Sequence, residues 1–103
     1  MTVYLVAQLR IHDRNRYAEY EAGFADVFAR YGGTILAVDD DTVALEGDNP
    51  SDRSVILSFP NEAAALAWYR SDDYRALAQH RHAASEADVT LVRSGLNVKT
   101  REP

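Results

Sequence analysis

An arginine on an apolar helical stripe carries the most chemistry in this sequence. Tyr74, Leu77, Ala78 and Arg81 stand at i, i+3, i+4 and i+7, so on a helix the guanidinium shares the face that otherwise reads as core. Two readings stand. The stem covers the core edge and the head reaches water or a carboxylate, or the head receives an anion. A lone buried guanidinium is costly, so a carboxylate such as Glu46 or Asp13, or a bound anion, is expected within hydrogen-bond reach. The polar candidates for a pocket around it are Tyr17, Tyr20, Tyr69, Tyr74 and Glu46. There, Arg81 would hold a carboxylate or enolate oxygen, Glu46 would move a proton if burial raises its pKa, and Tyr69 would donate to a developing oxyanion. Tyr17, Tyr20, Tyr74 and Trp68 are the candidate substrate contacts. Each also has a plainer reading: Glu46 as a strand-end charge or the partner of Arg81, the tyrosines of the first helix as core packing, and Trp68 as the core of an alanine-rich helix.

Metal and cofactor chemistry is poorly supplied. The sequence has no cysteine. His80 and His82 are two apart, which on a helix turns them to nearly opposite sides, and His12 is isolated. No His-Glu-x-x-His arrangement occurs. Gly32-Gly33 precedes a strand rather than a helix, the wrong order for a phosphate-binding loop. The expected site is therefore cofactor-free and metal-free.

The elements that would position these residues follow from periodicity. Val3, Leu5, Ala7, Leu9 and Ile11 alternate with Tyr4, Val6, Gln8 and Arg10, the pattern of a strand over residues 2–11. Asp13 caps a helix carrying Tyr17, Tyr20, Phe24, Val27, Phe28 and Tyr31, and Gly32-Gly33 ends it. Thr34 to Val38 and Val43 to Glu46 are extended runs around the turn Asp39-Asp40-Asp41, which predicts a hairpin or one long bent strand. Ser54 to Phe59 alternates again. Pro60 then stops that strand, Asn61 caps a helix and Glu62 suits its positive end. Ser71 followed by Asp72-Asp73 repeats the capping signal, so the helix is broken there into two. Val89 to Val92 supplies the last strand.

The resulting fold class is α+β, a βαββαβ antiparallel sheet with helices on one face. That arrangement leaves the second face, with Tyr4, Val6, Ile56, Thr90 and Val92, too apolar to stand open. A second copy of the chain, a homodimer, is the economical cover. Length and composition agree with one domain: 103 residues with 47% hydrophobic content build a single modest core, read as residues 1–93 followed by a tail over 94–103. The tail is expected either to lack fixed structure or to add an edge strand to the neighbouring chain. A net charge of −5 argues against nucleic acid and anionic membrane as partners, and an RNA-binding sheet would want more exposed aromatics than Tyr4. The apolar run Val3 to Ala7 is too short for a signal core or a membrane span, and a cytoplasmic location follows by default.

The motifs Phe59-Pro60-Asn61, Ala67-Trp68-Tyr69-x-Ser71-x-Asp73-Tyr74 and the later Arg81 resemble the small bacterial family catalogued as domain of unknown function 1330. Asp13, Tyr17, Tyr20, Gly32-Gly33 and Glu46-Gly47 fit the same pattern, and the resemblance runs from Val3 to Val92. Asn61 replaces a common serine and Asp73 a common glutamate, both keeping capping or dipole chemistry. The resemblance implies a ferredoxin-like fold paired as a dimeric α/β barrel, and no particular reaction. That superfamily includes isomerases of small acidic lactones and cofactor-free oxygenases, so it permits an enzyme. Its haem-degrading members use an asparagine, a tryptophan and a histidine; Gln8, Trp68 and His80 or His82 lie in similar regions, but the first position differs and that activity is not carried over. Two functions are thus expected to compete: a small-molecule binder or isomerase- or oxygenase-like enzyme for a small acidic or phenolic metabolite, and a non-catalytic dimeric interaction module. A buried Arg81 beside tyrosine or glutamate groups favours the first, and an Arg81 in solvent favours the second.

Overall fold

Val3, Leu5, Leu9 and Ile11 are buried while Gln8 and Arg10 are exposed, as a pleat that turns successive side chains to opposite faces requires. They lie on β1 (Val3–Ile11), the first element of a computed structural model that describes residues 1–95. It is followed by α1 (Arg14–Ala29), β2 (Thr34–Asp39), β3 (Arg53–Phe59), α2 (Glu62–Arg70), α3 (Asp72–Ala84) and β4 (Ser85–Arg93). The sheet order is β2-β3-β1-β4 with every neighbouring pair antiparallel. This is the ferredoxin-like α+β arrangement. Val3 pairs with Phe59 on one side and with Arg93 on the other, so β1 is central and its apolar side sets the inner face of the sheet. That face packs against Tyr17, Tyr20, Phe28, Ala65, Trp68, Tyr74, Ala78 and Ala84 of the helices, and one core results. None of the helices among the described residues is long and apolar enough to cross a membrane.

The helix ends follow the side chains that satisfy them. Asp13 Oδ1 accepts from the Arg16 N–H at 3.0 Å and starts α1, and Gly32 ends the turn after it with φ 76°, a conformation that glycine adopts without cost. Its neighbour Gly33 serves a different need, because a Cβ there would stand 2.3 Å from the Phe28 ring. Asn61 Oδ1 accepts from the Ala64 N–H at 2.8 Å and starts α2. Ser71 closes α2 and opens α3: with ψ 151° it leaves the helix, its Oγ donates to the Trp68 carbonyl at 2.8 Å and accepts from the Tyr74 N–H at 3.1 Å. Asp72 and Asp73 then occupy the first turn of α3, where the macrodipole favours negative charge.

Three expectations are corrected. Val43 to Glu46 is not extended sheet but part of an exposed loop, with Val43 81% and Leu45 90% exposed. Two alternating aliphatic residues do not make a strand without a neighbour to bond, and β3, the partner of β2, has its last pair at Asp39 and Ser54. This part of the chain accordingly supplies one strand, β2, bulged between Ile35 and Ala37, rather than a hairpin or a long bent strand. β3 begins at Arg53, one residue earlier than expected, and β4 begins at Ser85 rather than Val89, because β1 offers a partner to every position from Ser85 to Arg93. The expectation for the tail over 94–103 falls, beyond Gly95, outside the described residues.

Ser71 joins two helices through two hydrogen bonds of one hydroxyl. Ser71→Ala is expected to lower stability by about 1 kcal/mol, read as a lower denaturant midpoint at unchanged slope; an unaltered midpoint would show that the break is held by packing alone.

Candidate functional site

α1 packs along α3, and the inner-face side chains of β2 are left half-exposed, Ile35 at 49% and Val38 at 52%. Between these elements lies a cavity of about 260 Å³. Leu5, Leu9, Val55 and Leu57 of the sheet form its floor, Tyr17, Tyr20 and Phe24 of α1 one wall, and Trp68, Tyr69, Tyr74 and Arg81 the other. Most of the lining is apolar. A dry cavity of roughly 150 Å³ already holds a benzene ring, so this one has room for a larger ring.

Six of the seven residues singled out from the sequence meet in this space: Tyr17, Tyr20, Trp68, Tyr69, Tyr74 and Arg81 all line it, and Glu46 does not. Glu46 lies in the exposed loop between β2 and β3. Tyr20 and Tyr74 share a buried hydroxyl-to-hydroxyl hydrogen bond of 2.7 Å that joins α1 to α3. Burial first, and then the neighbouring Tyr74 hydroxyl, hold the Tyr20 phenol far above the usual tyrosine range. Tyr17 is raised too, by burial, against the opposing pull of Arg53. Trp68 is 2% exposed with its ring 4.1 Å from that of Tyr74 and 5.4 Å from that of Phe59. Its Nε1 is buried without a hydrogen-bond partner among the described residues. Tyr69 sits at the edge, about a third exposed.

Two cations line the cavity, and they differ in company. Arg53 lies one residue before the strand that alternation predicts from Ser54, and its parity with Val55, Leu57 and Phe59 on the inner face is the sequence signal that marks it. Its guanidinium grips Asp40 through Nε at 2.6 Å and Nη2 at 3.0 Å, reaches Glu21 through Nη1 at 2.8 Å, and lies 5.3 Å from the centre of the Tyr17 ring. Asp40 is held below the usual carboxylate range chiefly by its hydrogen bonds from Arg53. Arg81 is 6% exposed, with its guanidinium carbon 5.9 Å from the centre of the Tyr20 ring. Among the described residues no carboxylate forms an ion pair with it. Asp13 is committed to its helix cap, and Glu21, the one carboxylate lining the cavity, is engaged by Arg53. Burial opposes the charge of Arg81, and the oxygens of Tyr74 and Tyr20 more than offset that, so its pKa stands above the ordinary arginine value.

The histidines take other positions. His80 Nδ1 accepts from Arg16 Nε at 2.8 Å. Among the described residues no group of three or more His, Cys, Asp and Glu is placed to hold a metal ion. What the cavity offers is a slot for an apolar ring, phenol hydroxyls, and one cationic fork without a carboxylate partner among the described residues.

The raised phenols have a measurable sign. Unfolded tyrosines lose their protons near pH 10, whereas Tyr20 and Tyr17 in the folded state hold theirs to higher pH. The unfolded state therefore binds fewer protons above pH ~10, and stability falls as pH rises beyond that point. Denaturant unfolding followed across the alkaline range is expected to give a steeper decline for the natural chain than for Tyr20→Phe; parallel declines would contradict the burial of the Tyr20 hydroxyl.

No curated protein matches this sequence. Among solved structures, a protein of unknown function from Rhodopseudomonas palustris superposes with a TM-score of 0.78 at 22% identity, covering 92% of this chain and 83% of that one. A dimeric ferredoxin-like protein of unknown function from Thermobifida fusca gives 0.66 at 16% identity over 91% of this chain and 92% of its own. SnoaB, a cofactor-independent oxygenase from Streptomyces nogalater, gives 0.63 at 21% identity over 94% and 96%. At these identities the likeness is one of fold. The family model described as domain of unknown function (DUF1330) matches residues 2–95, nearly the whole chain, and the protein belongs to that family.

Proposed function

We propose that this protein binds a small aromatic acid or phenol in the cavity between its helices and sheet, and acts on it without a cofactor. The observation that carries this reading is Arg81, 6% exposed and without a carboxylate partner among the described residues, at the wall of an otherwise apolar cavity. A buried cation without a counter-charge is expensive, and an anionic ligand group is the partner that would offset the cost. The ligand ring lies among Tyr17, Tyr20, Phe24 and Trp68, and its carboxylate or phenolate oxygen meets the Arg81 fork, with Tyr74 and Tyr69 as hydroxyl donors. A fork that stabilises an oxyanion also stabilises an enolate or phenolate as it forms, the step that isomerase-like and cofactor-free oxygenase-like chemistry share. SnoaB is a cofactor-independent oxygenase, and the common fold supports this reading by analogy only. A buried Arg81 beside tyrosines also favours a ligand site over a purely structural dimeric module.

The same reading includes a homodimer. The outer sheet face carries Tyr4 and Val6 with Ile56 at 38% and Val92 at 46% exposure, an apolar band that a second copy would cover. The ferredoxin-like protein from Thermobifida fusca is described as dimeric. Light scattering after size exclusion is expected to give twice the 11.5 kDa chain mass; the single-chain mass at micromolar concentration would remove the dimer.

Calorimetric titration with benzoate, naphthoate and their neutral amides tests the ligand site. The acids are expected to bind and the amides to bind at least about tenfold more weakly, since a charge-assisted hydrogen bond is worth roughly 1.5–3 kcal/mol. Arg81→Lys keeps the charge but loses the fork, and is expected to weaken the acids while leaving the melting temperature near that of the natural chain. Equal binding of acid and amide, or of both proteins, would assign Arg81 to the fold.

A further inference from the structure

Of the arginines among the described residues, Arg10, Arg16, Arg30, Arg53 and Arg93 form ion pairs with carboxylates. Four do not, and three of these, Arg70, Arg75 and Arg81, line one groove of about 320 Å³ together with His82. Among the described residues no Asp or Glu lines it. In a chain of net charge −5 the general field repels anions, so a cluster of cations left without carboxylates marks a local reversal of sign. Asp73 stands on the same helix as Arg75 but is taken by Arg30, the residue that follows α1.

The helix dipole accounts for only part of the cluster. Arg70 is in the last turn of α2, and Arg81 and His82 are in the last turn of α3, where a cation is favoured. Arg75 is one turn into α3 from Ser71, near the positive end, where a cation is disfavoured. It shares a face with His82 at i+7. The same field acts on His82: burial, and after it the charge of Arg81, hold its imidazole below the usual histidine range.

Tyr69, Tyr74 and Arg81 line both this groove and the cavity, so the two depressions share a wall. We propose that the groove is an anion-binding subsite and that it takes a second acidic group, carboxylate or phosphate, of the ligand whose ring occupies the cavity. The proposal rests on the reading of the cavity as a ligand site and narrows the substrate class: an aromatic acid with an anionic arm, its ring against Trp68 and Tyr20, its arm passing Tyr69 and Tyr74 to Arg70 and Arg75.

The test compares naphthoate with naphthoates that carry a second carboxylate or a phosphate on a short flexible arm, titrated calorimetrically into the natural chain and into Arg70→Gln/Arg75→Gln. Both altered residues are exposed, and thermal melts of the two proteins check that the fold is kept. The arm is expected to tighten binding to the natural chain by about tenfold, the scale of one charge-assisted contact, and the gain is expected to vanish in the double variant. An arm that brings no gain, or a gain that survives the double variant, overturns the proposal. Inorganic phosphate, followed through the His82 ring signals by NMR, separates the two failures. It is expected to shift them in the natural chain and not in the double variant. Absence of that shift refutes the groove, whereas failure of naphthoate to bind the natural chain refutes the cavity reading.

Discussion

Trp68 and Tyr74 are six residues apart, a spacing that on an unbroken helix turns two side chains to different faces. Here their ring centres lie 4.1 Å apart, because Ser71 leaves the helical conformation between them and restarts it on a new axis. From this contact the rest of the interior follows. Trp68 reaches Phe28 at 5.5 Å and Phe59 at 5.4 Å, which ties α2 to α1 and to the sheet. Tyr74 reaches the Tyr20 hydroxyl, which ties α3 to α1. With α1 drawn along α3, no element among the described residues closes over the inner side of β2, and the cavity is the space left behind. A packing decision made at one serine thus sets both the core and its opening.

Charge is distributed around that opening in two ways. Arg53, at the start of β3, is satisfied by Asp40 and Glu21, so it clasps β3, the β2–β3 loop and α1 into one rim and has little left to offer a ligand. Arg81, deeper in, is surrounded by aromatic rings and phenol oxygens, which soften the cost of its burial without neutralising it. Two residues of the same type therefore do different work, and the difference lies in which carboxylates the fold brings near.

Much of this was legible in the sequence, because alternation and capping are local. The pleat of β1, the Asp13 and Asn61 caps, the Ser71 break and the inward stripe ending at Arg81 all depend on neighbours within a turn or a few residues. The meeting of Tyr17, Tyr20, Tyr69, Tyr74 and Trp68 around Arg81 followed from placing two helices on one face. What escaped was decided by distant chain. Val43 and Leu45 alternate as a strand would, but pairing with β3 ends at Asp39, so the loop carries Glu46 away from the cavity. Arg53 became visible only once β3 was known to begin there, and Asp40 and Glu21, which neutralise it, come from other elements altogether. The length of β4 was set by β1, not by its own polar first half.

β2 remains the exposed margin of the sheet. All six of its residues are exposed, half-exposed Ile35, Leu36 and Val38 among them, and one of its edges has no neighbouring strand among the described residues. A straight strand of that composition is a template on which another chain can grow, and the route from there is fibrillar association. The bulge between Ile35 and Ala37 breaks the regular spacing of donors and acceptors that a docking strand would need. Asp39, Asp40 and Asp41, in series at its end, set like charges against like in any parallel stack. The irregularity of β2 therefore protects the colloidal stability of the chain, and a substitution that straightened the strand would be felt first as precipitation rather than as unfolding.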